Sequence, residues 1–327
     1  VLYSPSKPDV PASVEEALGP ALLELLGRLR LRSRRIFAGK LPGERRSKKR
    51  GQSVEFDDFR EYVRGDDLRH IDWNVYARLE KLFLKLFLED EDLALHVAVD
   101  RSASMDAGRP PKAALAARLG LAIALVGLRN QDRVSVWTIN APGAARPLEG
   151  TPPLRGRAAA GRVLDALFAP RPPGSPGPGG AAGPGRLGPA LVRLARSRAG
   201  KGVVVVISDF LTDEDLTPAL NALAFGGGGG FDTTLVRVLS PGEADPAAEA
   251  DAGLVGDVLL TDVESAASAE VTITPDLIAR YRRRLDAHQR ALAAAATARG
   301  IGFVSLTSDA DPAAVLTGSL RASGVVG

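Results

Sequence analysis

Cysteine is absent from the 327-residue chain. That excludes disulfides, thiolate zinc sites, iron–sulfur clusters and a cysteine nucleophile together, and it fits a reducing compartment. Histidine occurs only as His70, His96 and His288, so Ser-His-Asp catalysis and histidine-rich metal centres have almost no material. No run of 18 apolar residues exists. The nearest, Ala113 to Leu128, is interrupted by Arg118 and reads as a buried helix, not a transmembrane segment. No charged–apolar–small leader opens the chain, so the expectation is a soluble, cytoplasmic protein.

What is present suits a globular fold. A hydrophobic fraction of 45% can build a core, and 25% charged residues is ordinary. The length implies one large domain with an appendage, or two domains. The net charge of +3 is unevenly placed. Between Arg28 and Arg50 eleven basic residues stand against one acid, Glu44, so the basic balance belongs to one short segment. That segment is either a solvated tail or a patch for a polyanion such as nucleic acid or anionic lipid. Only Phe37 interleaves with it, which argues against a stacking platform for single strands; specific nucleic-acid recognition is not expected.

Residues 12 to 35 are expected to form a helix, from the spacing of Leu18, Leu22, Leu25, Leu26 and Leu29. Residues 53 to 92 are dense in charge and end in a strand at Leu82 to Leu88. From Leu93 onward strands and helices alternate, and Val203 to Ile207 is a run of β-branched residues typical of a central parallel strand. The expected fold class is α/β, a doubly wound and mostly parallel sheet. The expected domains are an N-terminal helical and basic region over 1–91 and an α/β domain over 92–327, the latter interrupted by a β-hairpin insertion at 241–274. Pro170 to Pro189 is a proline- and glycine-rich loop.

The chemistry-bearing motif is Asp100-Arg101-Ser102-Ala103-Ser104, placed where the first buried strand ends and a helix is about to begin. In open α/β sheets that edge binds ligands. A carboxylate and two hydroxyls at i, i+2 and i+4 are hard oxygen donors, suited to magnesium or calcium. Asp209 follows the Val203 to Ser208 strand at the corresponding place and supplies a second carboxylate. The competing reading of Asp100, Ser102 and Ser104 is helix capping without a metal. Gly183-x-Gly185-x-x-Gly188 follows a proline-rich loop and not a strand, which rejects a dinucleotide fingerprint.

These residues resemble the metal-ion-dependent adhesion site of von Willebrand factor A domains. The block upstream, Glu55-Phe56, Arg60-x-Tyr62, Gly65-Asp66-Asp67-x-Arg69-x-Ile71-Asp72-Trp73 and Ala77-Arg78, precedes Asp100 as in the bacterial domain-of-unknown-function fifty-eight family, which is von Willebrand factor A-like. The resemblance spans roughly residues 40 to 320. It implies magnesium bound by the Ser102 and Ser104 hydroxyls, with Asp100 and Asp209 reaching it through water and a partner's carboxylate completing the octahedron. It implies a non-enzymatic protein-binding module, and a MoxR-type AAA+ ATPase as the leading partner. One departure stands out: Gly185 occupies the place of the family's threonine ligand. Arg186 beside it is then the candidate cation substitute for Asp100 and Asp209.

The block containing Asp66, Asp67, Arg69, Asp72, Trp73 and Arg78 reads either as a salt-bridged clasp between the N-terminal region and the α/β domain or as a partner surface anchored by Trp73 and Tyr76; the clasp is preferred. Two other functions stay open. One is a magnesium-dependent hydrolase using Asp100 and Asp209, which lacks an evident general base. The other is polyanion binding through Arg28–Arg50.

Overall fold

The computed structural model describes residues 10–33, 56–63, 71–87, 93–141, 146–170, 187–198, 202–226, 231–246, 256–261 and 268–327. The chain forms two compact units, one of Val1–Ile36 with Leu93–Gly327 and the other of Phe37–Asp92.

The larger unit is built on a six-stranded sheet. Its strands are β3 (Ala94–Asp100), β4 (Arg133–Ile139), β5 (Leu148–Gly150), β6 (Gly202–Ser208), β7 (Phe231–Leu239) and β10 (Gly302–Thr307), in the order β10-β7-β6-β3-β4-β5. All neighbours are parallel except the short edge strand β5. β3 and β6 are buried at every position, as expected of strands covered on both faces. Successive side chains serve opposite faces. Leu95, Val97, Val99, Val203, Val205 and Ile207 pack with α4 (Lys112–Arg129) and α5 (Ala160–Phe168). Ala94, Ala98, Val204 and Val206 pack with α6 (Leu187–Ser197), α7 (Thr217–Phe225) and the C-terminal turns of α9 (Pro275–Thr297). Each fully buried valine or leucine contributes about 1.5–3 kcal/mol. At the start of β6 only glycine fits, since a Cβ on Gly202 would lie 1.8 Å from the Ala94 carbonyl oxygen.

α8 (Pro241–Ala244) follows β7, and the excursion after it contains an antiparallel pair, β8 (Gly256–Thr261) and β9 (Ser268–Ile273). α10 (Pro312–Val315) and one wider turn to Leu320 end the fold. Among the described residues no helix is long and apolar enough to cross a membrane.

The N-terminal segment departs from the single helix expected over 12–35. It forms α1 (Val14–Leu18) and α2 (Pro20–Leu26). The break is local chemistry: Gly19 takes φ +76°, and Pro20, without an N–H, opens a new helix at its first position. Beyond Gly27 the period changes to two. Leu29, Leu31 and Ser33 are buried while Arg28, Arg30 and Arg32 are exposed. This extended stretch pairs with the C-terminus through Arg30 N–H to Gly327 O (3.0 Å), Gly327 N–H to Arg30 O (2.9 Å) and Arg32 N–H to Val325 O (2.9 Å). Residues up to 33 therefore group with the α/β unit, and the boundary differs from a 1–91 region. The front of the basic segment is part of the fold; residues 34–50 lie outside the described residues.

The smaller unit contains β1 (Phe56–Glu61) paired antiparallel with β2 (Phe83–Phe87), and α3 (Trp73–Leu79) between them. Asp72 caps α3, its carboxylate accepting from the amides of Asn74 (2.9 Å) and Val75 (3.3 Å). Trp73 is 61% exposed and meets Tyr76 edge-on at 6.1 Å. Arg78 lies in the last turn of α3. Asp66, Asp67 and Arg69 of the expected clasp lie outside the described residues.

Candidate functional site at the sheet edge

The chain leaves β3 toward β4 on one side, and β6 lies on the other, so strand order reverses between β3 and β6. The crevice beyond the carboxyl ends of such strands is where doubly wound sheets bind ligands. Parallel register sets Val99 opposite Ile207 and so brings Asp100 beside Ser208. The Ser208 hydroxyl donates to Asp100 Oδ2 at 2.6 Å, and the Ser102 amide donates to Oδ1 at 2.9 Å. The turn that follows sets the Ser102 and Ser104 hydroxyls 3.0 Å apart. Asp100, Ser102 and Ser104 are thus brought together within one turn.

Asp100 is 3% exposed. Burial, and then the neighbouring Asp209 charge, raise its pKa from 3.8 to about 6, against the hydrogen bonds from Ser208 and Ser102. Asp209 comes to the same edge but is held by other donors. Its Oδ1 accepts from the Leu211 amide at 3.1 Å, and its Oδ2 accepts from Lys112 Nζ at 2.8 Å. Lys112, the first residue of α4, has no exposed surface. Its ammonium also reaches Glu243 Oε1 at 2.5 Å. Burial alone would push this ammonium down; the carboxylates of Asp209 and Glu243 outweigh it and hold its pKa above the ordinary value. Glu243 is itself fixed in a capping box, its Oε2 accepting from the Ser240 amide at 2.8 Å. Its carbonyl accepts from the Tyr281 hydroxyl on α9 at 2.8 Å.

Lys112 and Glu243 escaped sequence reasoning. A usable signal existed: a lysine opening a mostly apolar 18-residue helix whose other charges are Arg118 and Arg129, at the helix end where a cation is disfavoured. Glu214 was also missed. Its carboxylate accepts from the amides of Leu187 (2.9 Å) and Gly188 (3.1 Å) and caps α6, just after the loop that lacks the threonine. Gly185 and Arg186 lie outside the described residues, and the cation seen on Asp209 is Lys112.

A carboxylate beside two adjacent hydroxyls is a hard oxygen set, and the raised proton affinity of Asp100 marks negative charge that a divalent ion would relieve. Asp100, Ser102 and Ser104 therefore fit. Asp209 already has an ammonium. Among the described residues no group of three or more His, Asp or Glu side chains is placed to hold a metal ion.

Of the histidines, His96 lies mid-strand, its Nδ1 accepting from Trp137 Nε1 at 3.1 Å. Burial, then Arg198 and Arg133, lower its pKa to about 4. His288 Nε2 bonds the Phe210 carbonyl at 2.9 Å, and His70 lies outside the described residues. A groove of about 310 Å³, lined in part by His288, runs between the Leu211–Asp213 loop and α9.

The sheet order and the carboxylate–hydroxyl turn at its switch point define a doubly wound, mostly parallel α/β protein. The chain belongs to the family described as protein of unknown function DUF58, whose family model matches residues 58–291. The uncharacterized proteins Rv1480 of Mycobacterium tuberculosis and Mb1516 of Mycobacterium bovis are each 29% identical over 295 residues, covering 89% of this chain and 86% of theirs. Among solved structures, a von Willebrand factor type A protein from Catenulispora acidiphila is 14% identical with a TM-score of 0.36, over 72% of this chain and 43% of that one. The pilus adhesin SpaC from Lactobacillus rhamnosus GG is 13% identical with a TM-score of 0.33, over 46% and 25%. This chain spans less than half the length of either solved chain, and the fold reading stands on the sheet topology itself.

Proposed function

We propose that the protein is a non-catalytic binding module whose sheet edge captures a protein partner through an adhesion-type site. Asp100, Ser102 and Ser104 hold a magnesium ion there, and the ion supplies a positive centre for an acidic side chain of the partner. A MoxR-type AAA+ ATPase is the partner class that the family resemblance favours. The observation that supports this reading is the pairing of a buried carboxylate with two hydroxyls 3.0 Å apart at the switch point. Within that site Ser208 and the Ser102 amide orient Asp100, while the Ser102 and Ser104 hydroxyls stand within hydrogen-bond distance of each other.

The test uses the full chain with a purified ATPase of that class, in magnesium and in chelator, beside Asp100→Ala. Capture that needs magnesium and is lost in the variant is expected. Capture unaffected by both changes refutes the site. Phosphoesterase or nuclease turnover abolished by Asp209→Asn would favour the hydrolase reading instead.

A further inference from the structure

We infer that Lys112 is a tethered cation that serves the Asp209 half of the sheet edge in place of a metal, so that a divalent ion is confined to Asp100, Ser102 and Ser104. The inference concerns how the edge is neutralised, and it stands apart from whether a partner binds.

Two independent penalties act against a lysine at position 112. It has no exposed surface, and desolvating an ammonium is expensive. It also opens an 18-residue helix, where the positive end of the helix dipole repels a cation. A methionine of similar length would suffer neither penalty. What offsets both is the pair of carboxylates at 2.8 and 2.5 Å. They come from different elements, Asp209 from the end of β6 and Glu243 from the capping turn after β7. The ammonium therefore joins three chain segments at the point where the sheet edge meets α9, through Tyr281 on the Glu243 carbonyl. Asp209 has its other oxygen on the Leu211 amide, so both its oxygens are occupied by protein donors. Both Asp100 oxygens are occupied as well, by the Ser102 amide and the Ser208 hydroxyl, but among the described residues no group hydrogen-bonded to it is cationic. The two carboxylates, alike in sequence position, thus have different roles. One is neutralised from within, and one is left for an added ion.

A lysine that only staples the loop and a lysine that stands in for a metal make different predictions once the charge is removed. The experiment melts the full chain in chelator and in excess magnesium chloride, as wild type, Lys112→Met and Lys112→Met/Asp209→Asn. Wild type is expected to keep Asp209 neutralised in chelator. Lys112→Met leaves two carboxylates facing each other and should lower Tm by about 5–15 °C. Magnesium should then recover most of that loss, because a divalent ion takes the place of the ammonium. The double variant should melt above Lys112→Met in chelator and show no recovery by magnesium beyond that of wild type. A Lys112→Met melt within about 2 °C of wild type, absent recovery by magnesium, or equal recovery in both variants overturns the inference. Should Lys112→Met fail to fold, Lys112→Met/Asp209→Asn/Glu243→Gln decides. This variant replaces all three charges by neutral groups of similar size, so a folded protein supports the charge role and an unfolded one refutes it. A failed adhesion reading would show in partner capture and leave these melts unchanged.

Discussion

Replacing Asp100 by Asn should make the protein more stable at neutral pH while destroying the proposed site. The carboxyl is 3% exposed and its pKa is raised from 3.8 to about 6. A carboxyl with a raised folded pKa binds its proton more tightly in the native state. Its stabilisation is therefore complete below pH 3.8 and falls away as pH climbs through about 6. Above that, the ionised group costs about 3 kcal/mol relative to its neutral form. Asn keeps an acceptor for the Ser102 amide and leaves nothing to ionise. The gain over wild type should thus be about 3 kcal/mol at pH 8, shrinking toward zero near pH 4. Urea denaturation in chelator, repeated at both pH values, measures it directly, and His96, present in both proteins, cancels in the difference. A variant no more stable than wild type at pH 8, or a gain that persists unchanged at pH 4, refutes the argument that burial and the Asp209 charge strain this carboxylate.

The remaining predictions concern the scaffold. His96 has a depressed pKa of about 4, so its contribution is present above pH 6.5 and lost as pH falls. Wild type should lose about 3 kcal/mol from this source between pH 7 and pH 4, and His96→Phe should show a flatter acid limb in pH-dependent melts. Gly202→Ala drives a Cβ into the Ala94 carbonyl and should cost more than about 3 kcal/mol by parting β3 from β6; a variant melting like wild type would contradict the parallel register. Glu214→Ala strips the acceptor from two helix-start amides and should cost about 1–2 kcal/mol, with hydrogen exchange rising first at the start of α6.

The α/β alternation from residue 93 to 327 was readable because its elements carry their own signals. The five β-branched residues of β6 can only suit a doubly covered strand, and the apolar α4 can only be buried. The Asp100-x-Ser-x-Ser turn was readable for the same reason: its three groups are local, and a single strand end delivers them. At the N-terminus the leucines suggested one helix, yet Gly19-Pro20 broke it, and the alternation from Arg28 to Ser33 announced an extended strand-like run that the helical count overrode. Edge strand β5, three residues long, had too short a pattern to recognise. Pairing was beyond the sequence altogether. Which cation meets Asp209 depends on Lys112, Asp209 and Glu243 converging from positions 97 and 131 residues from Lys112. Such convergence is fixed by strand order and helix packing, not by local preference. Residue types and periodicity decided which segments are strands and which turn gathers a carboxylate and two hydroxyls. Only the assembled sheet decided that one of two similar carboxylates meets a buried ammonium while the other, among the described residues, meets an amide and a hydroxyl, because charges interact through space and not along the chain.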